Sequence, residues 1–594
     1  MGHFKVNEKD IFFILKDQLN YGNLCKLDRY REIDEETLDM LVAEAIKFAR
    51  SEIDPLQEIG EKRGVIFEDG QVRCAPEFKD VFKLCGENGW IAASRDLKYG
   101  GQGFPHMMRI IINDLLAGAA QSFNIVTSLT DGAGHLIESF AADELKELFV
   151  PKMFGGEWTG TMALTEPDAG SNLAAIRTTA FKEGDHFKVK GSKMFISYGD
   201  HDLTENIIHL ILARIEGAPE GVKGISLFIV PKIRVNPDGS LGEHNDVLCT
   251  GIEEKLGLHA SPTCALSFGD NDECIGYLCG QENKGLAHMF QLMNASRIKS
   301  GINSMTLAST AYQNALLYAK ERIQGADVAG RKSGYVPIID HPDVRRMLLW
   351  MKAMVDGMRS MIYTGAFWEN LAEEMNDSEE KRHYQALVEF MTPIIKAYCS
   401  DMGFRVCTMA IQVLGGYGFC GEYPLEQYLR DAKITSLYEG TNGIQSMDLM
   451  GRKMRINAGV PFRVFMSEID KFCNRNSDHS VLGKEMLLLS NVAKRMGEVA
   501  IELSERFKSD PLQWASYTYP ALLCFGDVTV AWRLLDMATV AERAMGNGKN
   551  EDFFVGKVMQ ATYFTNVMLP LTMARLGTCL REGREIVEIS DGAF

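Results

Sequence analysis

Hydrophobic residues recur every three or four positions through most of the first 160 residues, which predicts a helical N-terminal region. An acidic stretch at residues 34–36 comes directly before one such period, and acidic side chains favour the first turn of a helix. The periodic positions are Leu38, Leu41, Val42, Ala45, Ile46 and Ala49. A glycine-rich segment at residues 99–105 predicts a loop, after which helices resume from His106 to about Met153.

The pattern changes between about Gly160 and Asp272, where short apolar and alternating runs predict β-strands. Residues 178–181 and 186–190 flank a Glu-Gly-Asp segment at residues 183–185, which predicts a hairpin. Residues 207–212 and 225–230 are apolar runs bounded by Gly and Pro, typical of buried strands. The sequence therefore predicts a β domain inserted between helical regions.

Helical periodicity returns at residues 286–323 and continues to about residue 457. Three further helical stretches follow, at residues 481–508, 520–545 and 554–580. The predicted fold class is mostly α with an inserted β domain. The predicted domains are an N-terminal lead-in, a helical domain, a β domain, a helical bundle and an additional helical domain, at residues 1–34, 35–159, 160–280, 281–457 and 458–594.

Composition narrows the function. The formal net charge of −17 argues against nonspecific binding to nucleic acid or an anionic membrane. No apolar run approaches the roughly 20 residues of a spanning helix, and the N-terminus lacks the apolar segment of a signal peptide. The 13 cysteines are scattered without metal-ligand spacing. We therefore expect a cytoplasmic protein with reduced thiols, no transmembrane segment, no nucleic-acid partner and no metal.

Two segments in the β region carry candidate ligand-binding residues. Residues 162–172 form a Pro turn with small residues, where backbone can approach a flat ligand and the hydroxyls of Thr165 and Ser171 can orient it. The alternative is a simple connector between helix and strand. Phe195, two residues before Ser197, could stack on a ring whose edge the hydroxyl binds. The alternative here is a strand that packs its apolar face.

Two further segments lie in the helical region after residue 281. Gly415 and Gly416 follow a helical run, where they could cap the helix or let backbone N–H groups reach a ligand. No strand precedes them, so they are not a dinucleotide-binding fingerprint. Glu439 lies in a Tyr-Glu-Gly-Thr turn, where desolvation would raise its pKa from about 4.3 and make it a usable base. The alternative is a surface Glu near a helix capped by Thr441 or Asn442. No nucleophile elbow or Walker loop occurs, which argues against the commonest hydrolases and NTPases.

Together and in this order, the four segments resemble the acyl-CoA dehydrogenase family of flavoproteins, over about residues 35–455. The lead-in and the C-terminal helices are similar to a larger bacterial subgroup, which includes the 3-methylmercaptopropionyl-CoA dehydrogenases. The resemblance implies the acyl-CoA dehydrogenase fold, with an N-terminal helical domain, a middle β-barrel-like domain and a C-terminal four-helix bundle, plus an extra C-terminal helical domain here. It also implies non-covalent FAD between the β domain and the C-terminal helices, usually at a dimer interface.

The resemblance assigns FAD contacts to eleven positions of this sequence. One side of the flavin ring would contact Met162, Leu164 and Thr165, and the other side would contact Phe195 and Ser197. Phe195 and Ser197 stand where many members have Trp and Thr. The rest of FAD would contact a second set of residues: Arg322, Gln412, Gly415, Gly416, Thr441 and Asn442. In this set, Arg322 would pair with the pyrophosphate of the FAD that the neighbouring subunit binds. Residues 323–325 depart from the family pattern, and the longer loop that follows runs to Asp340.

The resemblance also implies the chemistry. Glu439 stands where many members carry the catalytic base, whereas a minority place it before an arginine of the long helix. That arginine is Arg297 here, and Ser296 before it cannot serve. Ser171, Arg297 and Gly440 are the implied substrate contacts.

The implied reaction is α,β-dehydrogenation of an acyl-CoA thioester by a homodimer or homotetramer that passes electrons to an electron-transfer flavoprotein. The alternatives are an acyl-CoA oxidase that uses O₂ and a non-catalytic flavoprotein or assembly module. The acyl group stays open between methylthio-propionyl, straight-chain, and cyclic or aromatic.

Overall fold

The computed structural model of the chain describes residues 3–545 and 551–594. Helices account for most of it. In chain order the α-helices are α1 (Glu8–Phe12), α2 (Glu35–Phe48), α3 (Asp54–Arg63), α4 (Pro76–Glu87), α5 (His106–Ala119), α6 (Gln121–Phe140), α7 (Asp143–Phe154), α8 (Gly285–Glu321), α9 (Pro342–Glu374), α10 (Ser378–Leu414), α11 (Gly416–Phe419), α12 (Leu425–Lys433), α13 (Asn442–Met447), α14 (Val460–Arg475), α15 (Gly483–Ser509), α16 (Pro511–Ala544), α17 (Glu551–Cys579) and α18 (Glu585–Glu588).

Most of the strands lie between α7 and α8, whereas the first two precede α4 and the last two follow α8. They are β1 (Ile66–Glu68), β2 (Gln71–Arg73), β3 (Trp158–Ala163), β4 (Thr179–Glu183), β5 (His186–Ser197), β6 (Asn206–Ile215), β7 (Ile225–Pro231), β8 (Ile233–Val235), β9 (Leu241–His244), β10 (Val247–Ile252), β11 (Thr263–Phe268), β12 (Ile275–Leu278), β13 (Ile323–Ala326) and β14 (Tyr335–Pro337). The central sheet has the order β10-β11-β5-β12-β7-β6-β3, and β4 pairs with both β5 and β6. The pairings among β4, β5, β12, β7 and β6 close a circuit, which makes this domain barrel-like.

The chain forms two compact units. The first comprises Met1–Phe4 and Asp39–Ser296. Its core contains the buried aromatic side chains of Phe149, Phe154 and Trp158, packed among apolar residues of α6, β6 and β7. Strand β6 is buried along eight successive residues, which explains its nearly continuous apolar sequence.

The second unit comprises Lys5–Leu38 and Arg297–Phe594. Buried aromatic residues of α10, α14 and α16 pack together there, among them Phe390, Phe465 and Phe525. The Asp377 carboxylate begins α10 because it accepts hydrogen bonds from the backbone N–H groups of Glu379 and Glu380, at 2.7 and 2.9 Å. Helix α10 ends at Gly415, whose φ of +60° is a glycine conformation.

The structure confirms the predicted fold class. The hairpin is present as β4 and β5, joined through Gly184 at φ +64°. The three C-terminal helical stretches are α15, α16 and α17, although α16 begins nine residues before the predicted start at Pro520. The predicted helix end at Ile323 is wrong, because α8 ends at Glu321 and Ile323 enters a two-stranded ladder with β14. The predicted domain limits stay a prediction.

Within residues 3–545 and 551–594, no helix is both long and apolar enough to cross a membrane. The same residues contain no group of three His, Cys, Asp or Glu side chains that could hold a metal ion.

Candidate active site

Glu439 lies in a turn built from two consecutive left-handed residues. Its φ is +58° and that of Gly440 is +87°. For a residue with a side chain this conformation costs about 1–2 kcal/mol, and such strain is characteristic of functional sites. The turn is held from its C-terminal side, where Thr441 Oγ1 caps α13 by accepting a hydrogen bond from Ile444 N at 3.3 Å. The Gln445 amide lies 3.5 Å from the carbonyl oxygens of both Glu439 and Gly440.

Burial of Glu439 favours the protonated form of its carboxyl group. Burial raises the pKa of Glu439 to about 7, against the opposing charges of Arg297, Lys396 and Lys299. The residue keeps partial solvent exposure, so that a ligand can reach it. A carboxyl group with a pKa near neutrality is ionised often enough to accept a proton and basic enough to hold it.

Arg297 and Lys396 each contact a side chain of the segment that follows Glu439. Arg297 Nη1 lies 3.7 Å from Asp448 Oδ2. Lys396 Nζ donates a hydrogen bond to Asn442 Oδ1 at 2.9 Å. The Asn442 amide nitrogen in turn donates to Ala397 O at 3.2 Å and to Ser400 Oγ at 3.0 Å. The side chains of Thr441 and Asn442 are thus engaged within the protein, and their predicted contact with the FAD pyrophosphate stays a prediction.

Sequence reasoning missed several residues around Glu439. Lys299 and Lys396 act on it electrostatically, and Asn303 Nδ2 donates a hydrogen bond to the neighbouring Tyr438 Oη at 3.2 Å. A signal was present, since Lys396 interrupts an apolar run at residues 394–399 of a long helix. A lysine among buried residues is unusual and marks a site where a partner is needed.

A second group of predicted residues lines one cavity of about 820 Å³. It contains Arg322, Gln412, Gly415 and Gly416, which come from the end of α8 and the α10–α11 connection. A Cβ added to either glycine would meet no atom within 4 Å, so the backbone there is open to a ligand. The Arg322 guanidinium lies 5.6 Å from the ring centroid of Tyr417. The cavity therefore combines an aromatic ring, accessible backbone and a cation, which suits an aromatic anion.

The third group lies where β3 ends and β5 ends, in the other unit. Met194 N donates to Thr165 O at 2.9 Å, which fastens the segment after β3 to β5. Phe195 is 56% exposed and has a φ of +58°, unusual for an aromatic side chain. Met162, Thr165 and Ser197 are partly exposed, whereas Leu164 is buried. Ser171 is exposed in the following loop, and its predicted substrate contact stays a prediction.

The chain matches family descriptions along most of its length. Residues 35–157 match the acyl-CoA dehydrogenase N-terminal domain, residues 161–271 its middle domain and residues 283–454 its C-terminal domain. Residues 465–590 match a domain described as acetyl-CoA dehydrogenase C-terminal like. The chain belongs to the acyl-CoA dehydrogenase family. It is an oxidoreductase of that family, and FAD is its cofactor.

Relatives of this acyl-CoA dehydrogenase share its full length. It is 34% identical to 3-methylmercaptopropionyl-CoA dehydrogenase of Ruegeria pomeroyi, covering 94% of this chain and 95% of that one. It is 34% identical to a butyryl-CoA dehydrogenase of Syntrophomonas wolfei, covering 99% and 98%. The crystal structure of Caenorhabditis elegans ACDH-11 in complex with C11-CoA has a TM-score of 0.78 at 20% identity, covering 96% and 94%. That last likeness concerns the fold.

The residues present fit FAD. The cavity at Arg322 offers a cation and open glycine backbone to a pyrophosphate-linked adenosine. The exposed Phe195 ring and the partly exposed Met162 offer apolar surface to a flat ring system.

A buried ion pair holds the segment that follows β3, and sequence reasoning missed this pair. Lys193 Nζ lies 2.8 Å from Glu166 Oε1, and both side chains are almost completely buried. Lys193 also donates to Leu164 O at 3.1 Å and to Leu212 O at 2.7 Å. Burial lowers the pKa of Lys193 to about 8 although Glu166 opposes the shift. The pair fixes Leu164 and Thr165 against the end of β5.

Replacing Lys193 with Met is expected to lower the FAD content of the purified enzyme and to destabilise it. The change leaves Glu166 buried without its cation, which costs about 3–5 kcal/mol in free energy of unfolding. The ratio of flavin to protein absorbance and a urea titration measure both effects. Lys190→Met is the matched control, because Lys190 lies on the same strand but is exposed. Wild-type flavin content in Lys193→Met would contradict the organising role.

Proposed function

We propose that this enzyme oxidises an acyl-CoA thioester to the 2,3-enoyl-CoA, with Glu439 as the base that removes the α-proton. The observation that carries the proposal is the Glu439 turn, in which burial raises the pKa of a strained carboxylate to about 7. Bound FAD supplies the acceptor for the β-hydrogen, which leaves the substrate as hydride. The α-proton goes to the Glu439 carboxylate, which becomes a neutral carboxylic acid.

The environment of Glu439 supports this role. The α-proton of a thioester is weakly acidic, so a base of raised pKa narrows the gap between donor and acceptor. Because burial disfavours the carboxylate, proton transfer to Glu439 removes a charge from a poorly solvated position. We further propose the backbone N–H of Glu439 as a donor to the thioester carbonyl, where it would stabilise the developing enolate. Arg297, Ser171 and Gly440 are the proposed substrate contacts.

The names of related proteins support the proposed substrate class. The names of two full-length relatives specify 3-methylmercaptopropionyl-CoA and butyryl-CoA, and a fold neighbour was crystallised with C11-CoA. All three are CoA thioesters, and they differ in the acyl group. We propose an acyl-CoA substrate, an electron-transfer flavoprotein as the electron acceptor, and a homo-oligomer in which Arg322 pairs with the FAD of the neighbouring subunit.

The decisive experiment mixes the purified enzyme with a panel of acyl-CoAs under anaerobic conditions and follows the absorbance of oxidised flavin. Methylthio-propionyl, straight-chain and aromatic acyl-CoAs are compared. We expect one acyl class to bleach the flavin and yield its enoyl-CoA. A fully flavinated enzyme that no member bleaches would overturn the proposed reaction. Rapid peroxide formation in air after bleaching would favour an acyl-CoA oxidase instead.

The rate of flavin reduction is expected to rise with pH and to level off above about pH 7. Only the ionised form of Glu439 accepts a proton, and its pKa is raised to about 7, so protonation removes the active form at lower pH. The rate should fall about tenfold for each pH unit well below that value. Stopped-flow measurement at saturating acyl-CoA checks this. A rate that stays constant between about pH 5 and pH 7 would contradict a base of raised pKa.

A further inference from the structure

Lys396 is a fully buried lysine in the middle of α10. Its relative exposure is 0%, and the residues on both sides of it, Ile395 and Ala397, are also buried. Removing an ammonium group from water costs several kcal/mol unless nearby groups compensate. Its presence therefore calls for partners that favour the charged form.

The hydrogen bond of Lys396 connects α10 to the segment that carries Glu439. Lys396 Nζ donates to Asn442 Oδ1 at 2.9 Å, and Asn442 lies three residues after Glu439. The remaining Asn442 hydrogen bonds, to Ala397 O and Ser400 Oγ, go to the same segment of α10. The turn that carries Glu439 is thus fastened to α10 over little more than one helical turn, from Lys396 to Ser400.

The charge of Lys396 also acts on Glu439. Burial lowers the pKa of Lys396 to about 8, while Glu439 and Asp401 favour its charged form and Arg297 opposes it. The charged groups that face Glu439 are Arg297 and Lys299 from α8 and Lys396 from α10, and the neighbouring phenol is Tyr438. Lys396 Nζ donates its hydrogen bond to the uncharged amide of Asn442. Lys396 therefore favours the ionised form of Glu439 through its charge.

We propose that Lys396 is a positioning residue for the reaction: through Asn442 it anchors the turn that carries Glu439, and its charge favours the ionised form of that carboxylate. The inference rests on the proposed function, since it concerns the proposed base. Lys396 does not contact the reacting atoms in this role. It acts through Asn442 and through its charge.

The test compares Lys396→Met, which removes both the hydrogen bond and the charge, with Lys396→Gln, which retains an amide donor without charge. Lys381→Met is the matched control, because Lys381 lies on the same helix and donates to a backbone carbonyl at the surface. The readouts are the pH dependence of flavin reduction and the infrared titration of the Glu439 carboxyl band. The Glu439→Gln variant identifies that band. FAD content verifies that each variant is folded.

We expect the midpoint of both titrations to move up by about one pH unit in Lys396→Met and Lys396→Gln. With a midpoint that moves from about 7 to about 8, the rate would fall about fivefold at pH 7, approach a tenfold loss at lower pH and recover in alkaline solution. Lys381→Met should retain the wild-type midpoint. Unchanged midpoints in both Lys396 variants, or a rate loss by the same factor at every pH, would overturn the inference. A wild-type enzyme that no acyl-CoA reduces, or a fully active Glu439→Gln variant, would instead overturn the proposed function.

Discussion

Replacing Glu439 with Gln is expected to slow flavin reduction by an acyl-CoA by about 10²–10⁴-fold while FAD stays bound. Gln has the size of Glu and retains hydrogen-bonding capacity, but it cannot accept the α-proton as a base. Both side chains tolerate the left-handed φ of +58° equally well, so the turn should keep its conformation. The loss would therefore report on proton removal.

The measurement is single-turnover flavin reduction by stopped flow, together with the flavin content of the variant. Glu422→Gln serves as the control, because Glu422 is an exposed carboxylate in the same region of the chain. Binding of an enoyl-CoA product should survive in the Glu439 variant. A variant that reduces its flavin within about tenfold of the wild-type rate would exclude Glu439 as the base.

Replacing Lys557 with Met is expected to lower the free energy of unfolding by about 3–5 kcal/mol. Lys557 belongs to a tetrad with Lys352, Asp10 and Asp356, in which Lys352 is partly exposed and the other three side chains are buried. Its Nζ lies 2.7 Å from both Asp10 Oδ1 and Asp356 Oδ2. Two cations balance two carboxylates, so that removal of one cation leaves an uncompensated buried charge.

The tetrad also predicts how the stability of the folded protein depends on pH. Burial by itself would raise the pKa of Asp10, but Lys352 and Lys557 together lower it below its usual value of 3.8. Asp10 therefore stabilises the folded protein fully above the unfolded-state pKa, near 3.8, and this contribution is lost as pH falls through the lower folded-state value. The wild-type protein should thus lose stability below about pH 4.

Urea denaturation followed by tryptophan fluorescence measures the effect of Lys557→Met. The exposed Lys494 provides the control substitution Lys494→Met, for which we expect almost no change. The double variant Asp10→Asn with Lys557→Met restores the charge balance and should be less destabilised than the sum of the two single variants. Strict additivity would contradict coupling within the tetrad.

The sequence by itself determined the order of the elements and indicated the position of the proposed base. Periodicity located the strands at residues 207–212 and 225–230, which lie within β6 and β7, since the spacing of neighbouring apolar residues decides which face is buried. The Tyr-Glu-Gly-Thr turn marked Glu439, because the feature is contained in a few adjacent residues. The family resemblance then supplied the cofactor and the reaction class.

Only the tertiary structure decided which buried charged and polar side chains meet. Lys193 pairs with Glu166 across 27 residues, Lys396 with Asn442 across 46, and Lys557 with Asp10 across 547. Local periodicity carries no information about such pairs, because their distance depends on how the elements pack in three dimensions. The raised pKa of Glu439 has the same origin, since burial and three cations from two distant helices set it. The sequence thus singled out Glu439 as the candidate base, and the packing of the chain around that residue sets its pKa.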